Sequence, residues 1–312
     1  VGQFIAFLSY NSMLIWPVRQ LGRVISEMSK AGVSVDRIMY IMNAPAEQDK
    51  PNALTPDMHG DIVFDHVSFG YEGSVAIVHD VSFRIPHGST FGILGATGSG
   101  KSTLMHLLNR LYELPPENGK ITIGGVDIAD MKASWVRKHI GMVLQEPFLF
   151  SRTIAENIGI THRDMSMEEI RRAAQIACVD DAISEFANGY DTVVGERGVT
   201  LSGGQKQRTA IARMLTQQAP IMVFDDSLSA VDSETDAKIR QALHQNLGDS
   251  TVILISHRVT TLMQADCIMI LDQGRIAEMG THDQLMKKGG IYRRIYDLQM
   301  DAGKEGEDAE RN

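Results

Sequence analysis

The sequence predicts an α/β domain preceded by a long helix and a linker, and three observations carry that expectation. Short apolar runs, such as Thr90–Leu94 and residues 221–224 and 252–255, end in glycines or polar side chains, the pattern of strands covered on both faces. Between them lies a helical stretch opened by a capping signal, Ser166 with Glu169 ahead of residues 170–179. Residues 1–18 contain no charge, and apolar side chains recur three or four apart at Ile5, Leu8, Ile15, Val18, Leu21, Ile25 and Met28.

The uncharged stretch is about the minimum length for crossing a bilayer core, although Gln3, Ser9, Asn11 and Ser12 dilute it. Arg19, Arg23, Lys30 and Arg37 follow at once, as expected for a helix leaving the membrane on its cytosolic side, and Pro17 would kink it near that exit. Residues 1–42 are therefore expected to be the end of a transmembrane helix and its cytosolic extension. Residue 1 is Val and no secretion signal follows, so the segment reads as the end of something larger. Pro45, Pro51 and Pro56 among polar residues mark 43–60 as a linker. A domain is expected over 61–300, opening with strands at 62–69 and 81–85. The tail 301–312 is charged, lacks large apolar residues and is expected to be disordered.

Composition narrows the function. The chain has 39 acidic against 30 basic residues, a net charge of -9 and no basic run, which argues against a nucleic-acid surface. Cys178 and Cys267 stand far apart without a CxxC partner, so neither a disulfide framework nor a zinc site is indicated.

The run Gly95, Ala96, Thr97, Gly98, Ser99, Gly100, Lys101, Ser102, Thr103 fits G-x-x-x-x-G-K-[ST], after a strand and before a helical pattern. This is a P-loop NTPase signature. Glycines let backbone N–H groups form a nest around phosphates, and the following helix adds the positive end of its dipole. Lys101 would hold the β- and γ-phosphates of ATP and Ser102 would ligate Mg2+. A second acidic element agrees, because the apolar run 221–224 ends in Asp225 and Asp226, at the sheet edge where ligands of open α/β sheets bind. Asp225 fits the carboxylate that positions the metal.

Leu201, Ser202, Gly203, Gly204 and Gln205 then make the chain specific: they resemble the signature motif of ATP-binding cassette (ABC) proteins. Other motifs fall in that family's order. Tyr71 resembles the aromatic that stacks on adenine, Gln145 the Q-loop glutamine that also approaches the metal, residues 229–232 the D-loop, and His257 after Ser256 the switch histidine. Residues 195–198 and 148–158 are similar to exporter-type half-transporters, multidrug- or lipid-exporter-like, whose membrane helices precede the nucleotide-binding domain. The resemblance implies a P-loop core with an antiparallel β subdomain and an α-helical subdomain. It also implies a multi-pass protein of the cell membrane with this domain in the cytoplasm, and a transported substrate the chain does not identify.

Family resemblance further implies that two such domains meet head to tail, each ATP lying between the P-loop of one and Ser202, Gly203, Gly204 and Gln205 of the other. Where most active members carry glutamate as catalytic carboxylate, this chain has Asp226, one methylene shorter. A carboxylate set back by one carbon is badly placed for a water held within about 3 Å, and proton-transfer catalysis is commonly worth about 10² to 10⁴ in rate. The expectation is a subunit with a slow site of its own that completes a competent site on a second half-transporter, a heterodimer. A homodimer in which Asp226 suffices and a soluble ABC ATPase stay open as alternatives.

Overall fold

The computed structural model describes residues 1–310 except 72, 74, 163, 196–198, 228–234, 236, 240 and 243–247. The chain divides into two compact units, 1–48 and 49 onward. The first is a single helix, α1 (Gly2–Met42), which runs through Pro17 and buries none of its residues. Phe4, Phe7, Trp16, Leu21 and Met28 are all exposed along it. Among the described residues, no helix is long and apolar enough to cross a membrane. The span expected at 1–18 therefore does not meet that standard, because polar residues within it and arginines from Arg19 onward interrupt the apolar run.

The second unit builds two sheets. An antiparallel one has the order β2-β1-β4-β5, formed by β1 (Ile62–Phe69), β2 (Val78–Ile85), β4 (Lys120–Ile123) and β5 (Val126–Asp127). The larger sheet contains β3 (Thr90–Leu94), β6 (Ile140–Val143), β7 (Ile221–Asp225), β8 (Thr251–Ser256), β9 (Cys267–Asp272) and β10 (Arg275–Gly280), in the order β10-β9-β3-β8-β7-β6. Its β9-β3-β8-β7-β6 part is parallel, which requires crossover connections. These are made by α2 (Lys101–Leu108), α3 (Ala133–His139), α4 (Ile154–Ile158), α5 (Met167–Ile176), α6 (Asp180–Ser184) and α7 (Gly203–Leu215), among other segments.

One core packs α2 and the antiparallel sheet against the parallel one. Phe64 stacks on Phe83 with ring centroids 4.4 Å apart, and Phe83 on Phe91 of β3 at 5.4 Å, so aromatic packing ties the first sheet to the strand that feeds the P-loop. The other core gathers Ile154, Ile170, Ala174, Ile211 and Phe224, joining the helical subdomain to the opposite face. The capping box expected at Ser166 and Glu169 is present, and its helix spans Met167–Ile176, slightly earlier than 170–179. The last helix, Ile291–Glu310, continues into the charged segment expected to be disordered. A helix already nucleated by packed residues upstream extends at little cost, which composition alone does not register. Both cysteines are free thiols, half-buried.

Candidate functional site

Four neighbouring parallel strands bring the site together at their C-terminal ends. The P-loop follows β3, His257 follows β8, Asp225 ends β7, and Gln145 lies two residues beyond β6. In-register pairing sets Leu94 beside Ser256, Ile255 beside Asp225 and Phe224 beside Val143, so these ends share one edge. They open on a cleft of about 240 Å³ lined by Gly95, Thr97, Gly98, Gly100, Lys101, Ser102, Thr103, Gln145, Asp225, Asp226 and His257, with Ile77. Convergence of loops at this edge is the general placement of ligands in open α/β sheets.

Backbone geometry accounts for the glycines. Gly98 and Gly100 have φ of 82° and 102°, a region that favours residues without Cβ. At Gly95 a Cβ would lie 2.4 Å from the carbonyl oxygen of Leu271 and 2.7 Å from Ser99 Oγ, so the loop could not pass there with any side chain. Gly100 caps α2, whose first N–H groups, from Lys101 on, have no partner within the helix. Ser99 Oγ is buried and has no hydrogen-bond partner among the described residues. Lys101 Nζ donates to the carbonyls of Gly95 and Ala96, at 2.8 Å each. Burial pulls its pKa below the ordinary lysine value, against the attraction of Asp225 and Asp226.

Asp225 is 7% exposed, and burial raises its pKa, opposed by a hydrogen bond from Ser102, by His106 and by Lys101. A nest of backbone donors, a lysine and a desolvated Ser–Asp pair form a donor and acceptor set that fits a triphosphate with a divalent cation. Asp226 adopts a left-handed backbone, φ 46°, one of the few conformations where aspartate is better tolerated than most side chains. Its N–H donates to the Ile255 carbonyl at 2.9 Å, and both carboxylate oxygens lie 2.9 to 3.0 Å from His257 Nδ1. Strand β8 thus holds the Asp226 backbone while the residue following that strand engages its side chain.

The remaining sequence-derived residues are placed differently. Tyr71, expected to present its ring to adenine, packs edge to face on Phe69 and Tyr112 with centroids 5.3 and 4.9 Å away, and its hydroxyl lies 3.2 Å from Thr103 Oγ1. Its ring does not line the cleft. Ser202, Gly203, Gly204 and Gln205 also line no part of it. Instead they start α7: Ser202 Oγ accepts from the Gln205 N–H at 3.2 Å, and Gln205 Oε1 accepts from the Ser202 N–H at 3.0 Å, a capping box. The D-loop expected at 229–232 lies outside the described residues, as do 196–198.

Sequence reasoning missed one cluster beside the Q-loop. Asn157, fully buried in α4, donates from Nδ2 to the carbonyls of Phe150, Arg152 and Thr153 and accepts at Oδ1 from Phe150 N–H and Arg213. Arg213 in α7 also donates to the carbonyls of Asn157 and Phe148, both at 2.8 Å, and lies over the Phe150 ring. The segment after Gln145 is thereby pinned to the helix that begins with Ser202. The available signal was weak: Arg213 interrupts an apolar run between Ala210 and Leu215, and Asn157 stands between Glu156 and Ile158 in a short helix.

Comparison with known proteins agrees with this architecture. Residues 78–229 match the family model for ABC transporters. The leukotoxin translocation ATP-binding protein LktB of Mannheimia glucosida is 41% identical over 302 residues, 96% of this chain and 42% of that protein. The putative multidrug export ATP-binding/permease protein YgaD of Bacillus subtilis strain 168 is also 41% identical over 302 residues, 96% of this chain and 52% of its own length. This chain therefore spans about half the length of the curated relatives it matches. A solved structure of a bacterial Atm1-family ABC exporter with ATP bound superposes with a TM-score of 0.81 at 37% identity, over 92% of this chain and 50% of that one. With its P-loop, strand-end aspartates and α7 signature in one α/β frame, the chain belongs to the ABC transporter family and carries that family's ATP-binding domain.

Proposed function

We propose that this domain binds ATP with Mg2+ in the cleft between the P-loop and Asp225, and that two ABC half-transporters closing over ATP drive transport across a membrane, in the export direction. The observation that carries the reading is the split between the two halves of the phosphate site. The cleft holds Lys101, Ser102, Asp225, Asp226, Gln145 and His257, whereas Ser202 to Gln205 line none of it. One chain lacks its second phosphate-binding helix terminus, and a second half-transporter supplies it.

Lys101 and the α2 N-terminus hold the β- and γ-phosphates, Ser102 and Asp225 hold the metal with Gln145 near it, and Tyr71 with Thr103 borders the adenine end. Bound Mg2+ supplies charge neutralisation between the phosphates. His257 and Asp226 face the γ-phosphate side. Contacts made only in the closed pair shift the equilibrium toward closure, and loss of the γ-phosphate releases it.

The short Asp226 carboxylate is engaged by His257 Nδ1, and this supports slow hydrolysis at the chain's own site. The signature then serves the site of a partner that carries glutamate. That the relatives are named for translocation and export supports the direction. α1 is the cytosolic end of the last membrane helix in this reading, with the ATP-binding domain in the cytoplasm and the assembly in the cell membrane. ATPase assays of the assembled transporter with Asp226→Glu and with Ser202→Ala test it. A loss of activity in Ser202→Ala, together with a gain in Asp226→Glu, is expected; full activity in Ser202→Ala removes the partner-site proposal, and unchanged activity in Asp226→Glu favours a homodimer in which aspartate suffices.

A further inference from the structure

The cleft and its motifs do not account for the contact between the last helix and the segment carrying His257. Strand β8 ends at Ser256, and the one-turn helix Val259–Leu262 begins three residues later. Two backbone groups in that short passage need partners, the His257 carbonyl and the Val259 N–H, which as the first N–H of a helix has none within it. Both are met by one side chain. Gln299 Nε2 donates to the His257 carbonyl at 2.7 Å, and Gln299 Oε1 accepts from the Val259 N–H at 2.8 Å. Because one partner can only accept and the other can only donate, the orientation of the amide is fixed.

Glutamine suits this position for a chemical reason. Its side chain is the longest neutral one with a donor and an acceptor on the same terminal group; glutamate only accepts, lysine and arginine only donate, and asparagine is a methylene short. The helix that carries it is itself held in place. Glu278 of β10, 7% exposed, accepts from the N–H groups of Ile291 and Tyr292 at 2.8 and 3.2 Å. A Cβ at Gly290 would lie 1.7 Å from Glu278 Oε1, so the carboxylate closes directly onto the turn before the helix. Tyr292 is fully buried, and its hydroxyl lies 2.7 Å from His282 Nδ1. Gln299 stands eight residues along this anchored helix, roughly 12 Å from its start.

We propose that Gln299 is a positioning residue for hydrolysis: it clamps the peptide groups on either side of Arg258 and so fixes how His257 presents its ring to Asp226 and the cleft. The inference rests on the reading of the cleft as a hydrolytic ATP site. It makes the last helix a brace of the switch segment rather than an appendage, and a displacement of that helix changes the direction of the His257 ring.

The test uses the full transporter with Gln299→Leu, which removes both arms, and Gln299→Glu, which keeps the acceptor and removes the donor. Turnover is expected to fall roughly tenfold in Gln299→Leu and less in Gln299→Glu, with KM for ATP unchanged, because Gln299 is not among the residues that line the cleft. In a His257→Ala background neither change should lower single-turnover hydrolysis further. Hydrogen exchange at the Val259 amide should accelerate at least tenfold in Gln299→Leu and stay near wild type in Gln299→Glu. Normal turnover in both variants, or an equal further drop in the His257→Ala background, overturns the proposal, as does unchanged Val259 exchange in Gln299→Leu. A wild-type assembly that binds ATP without turning it over ends the hydrolysis reading itself, whereas an active wild type with indifferent Gln299 variants ends only this inference.

Discussion

At the residue scale, the cleft combines a half-buried lysine with two carboxylates, and each makes a separable contribution. Lys101 is held by two loop carbonyls and drawn toward Asp225 and Asp226. A charge-assisted hydrogen bond to phosphate is worth about 1.5 to 3 kcal/mol, so Lys101→Met should weaken ATP binding by roughly tenfold to a hundredfold, read by equilibrium dialysis or nucleotide fluorescence. Asp226 carries two opposed demands. Its left-handed backbone suits aspartate, while the proposed chemistry wants a longer carboxylate. Asp226→Glu is therefore expected to speed phosphate release at least about tenfold while costing on the order of 1 kcal/mol of folding stability, and a variant that gains neither rate nor strain contradicts that account. Tyr71 packs edge to face on Phe69 and Tyr112, so the direction of its ring depends on residues that its own position in the sequence does not name.

At the element scale, the helical subdomain is held by caps and one buried polar cluster. Asn157 satisfies five backbone or side-chain groups from inside α4. Removing it leaves several buried groups unpaired, so Asn157→Ala should cost about 3 kcal/mol and lower Tm by roughly 5 to 10 °C in calorimetry. Arg213 loses one of its three acceptors in that variant, the Asn157 Oδ1, and the proposed ATPase should fall as well, since the segment after Gln145 is held to α7 by fewer bonds.

The capping boxes of α4 and α5 give a pH dependence. Hydrogen bonds from the Thr153 backbone and side chain, and from the Ser166 side chain and backbone, hold Glu156 and Glu169 below the ordinary glutamate value. A depressed carboxylate stabilises the fold above its unfolded pKa, and that stabilisation is lost as pH falls through the folded value. Acid should therefore remove more stability from wild type than from the Glu156→Gln, Glu169→Gln double variant between about pH 5 and pH 3. Equal acid sensitivity, measured by urea unfolding at each pH, would show that the boxes carry no charge contribution.

At the scale of the whole molecule, the proposed function needs a second copy or partner. With ATP and Mg2+, wild-type domains should associate in sedimentation experiments, and Lys101→Met should stay monomeric under the same conditions; association that ignores nucleotide would argue for a contact unrelated to the cleft. Much of this was legible beforehand. The P-loop, the strand-end Asp225 and Asp226, the capped helix at Ser166 and the runs that became β3, β7 and β8 are local signals, because a nest, a cap and a buried strand each follow from residues a few positions apart. What the chain could not state locally is which strands adjoin. The order β9-β3-β8-β7-β6 sets Gln145, Asp226, His257 and the P-loop on one edge, and it arises from crossovers spanning dozens of residues. The Asn157 and Arg213 cluster and the Gln299 clamp were illegible for the same reason, since their partners lie 56 and 42 positions away in sequence. Sequence alone determined the chemistry of each element, through local sterics and hydrogen bonding. Only the tertiary structure decided which of those chemistries meet, because long-range strand pairing and core packing, not neighbouring residues, fix the distances between them.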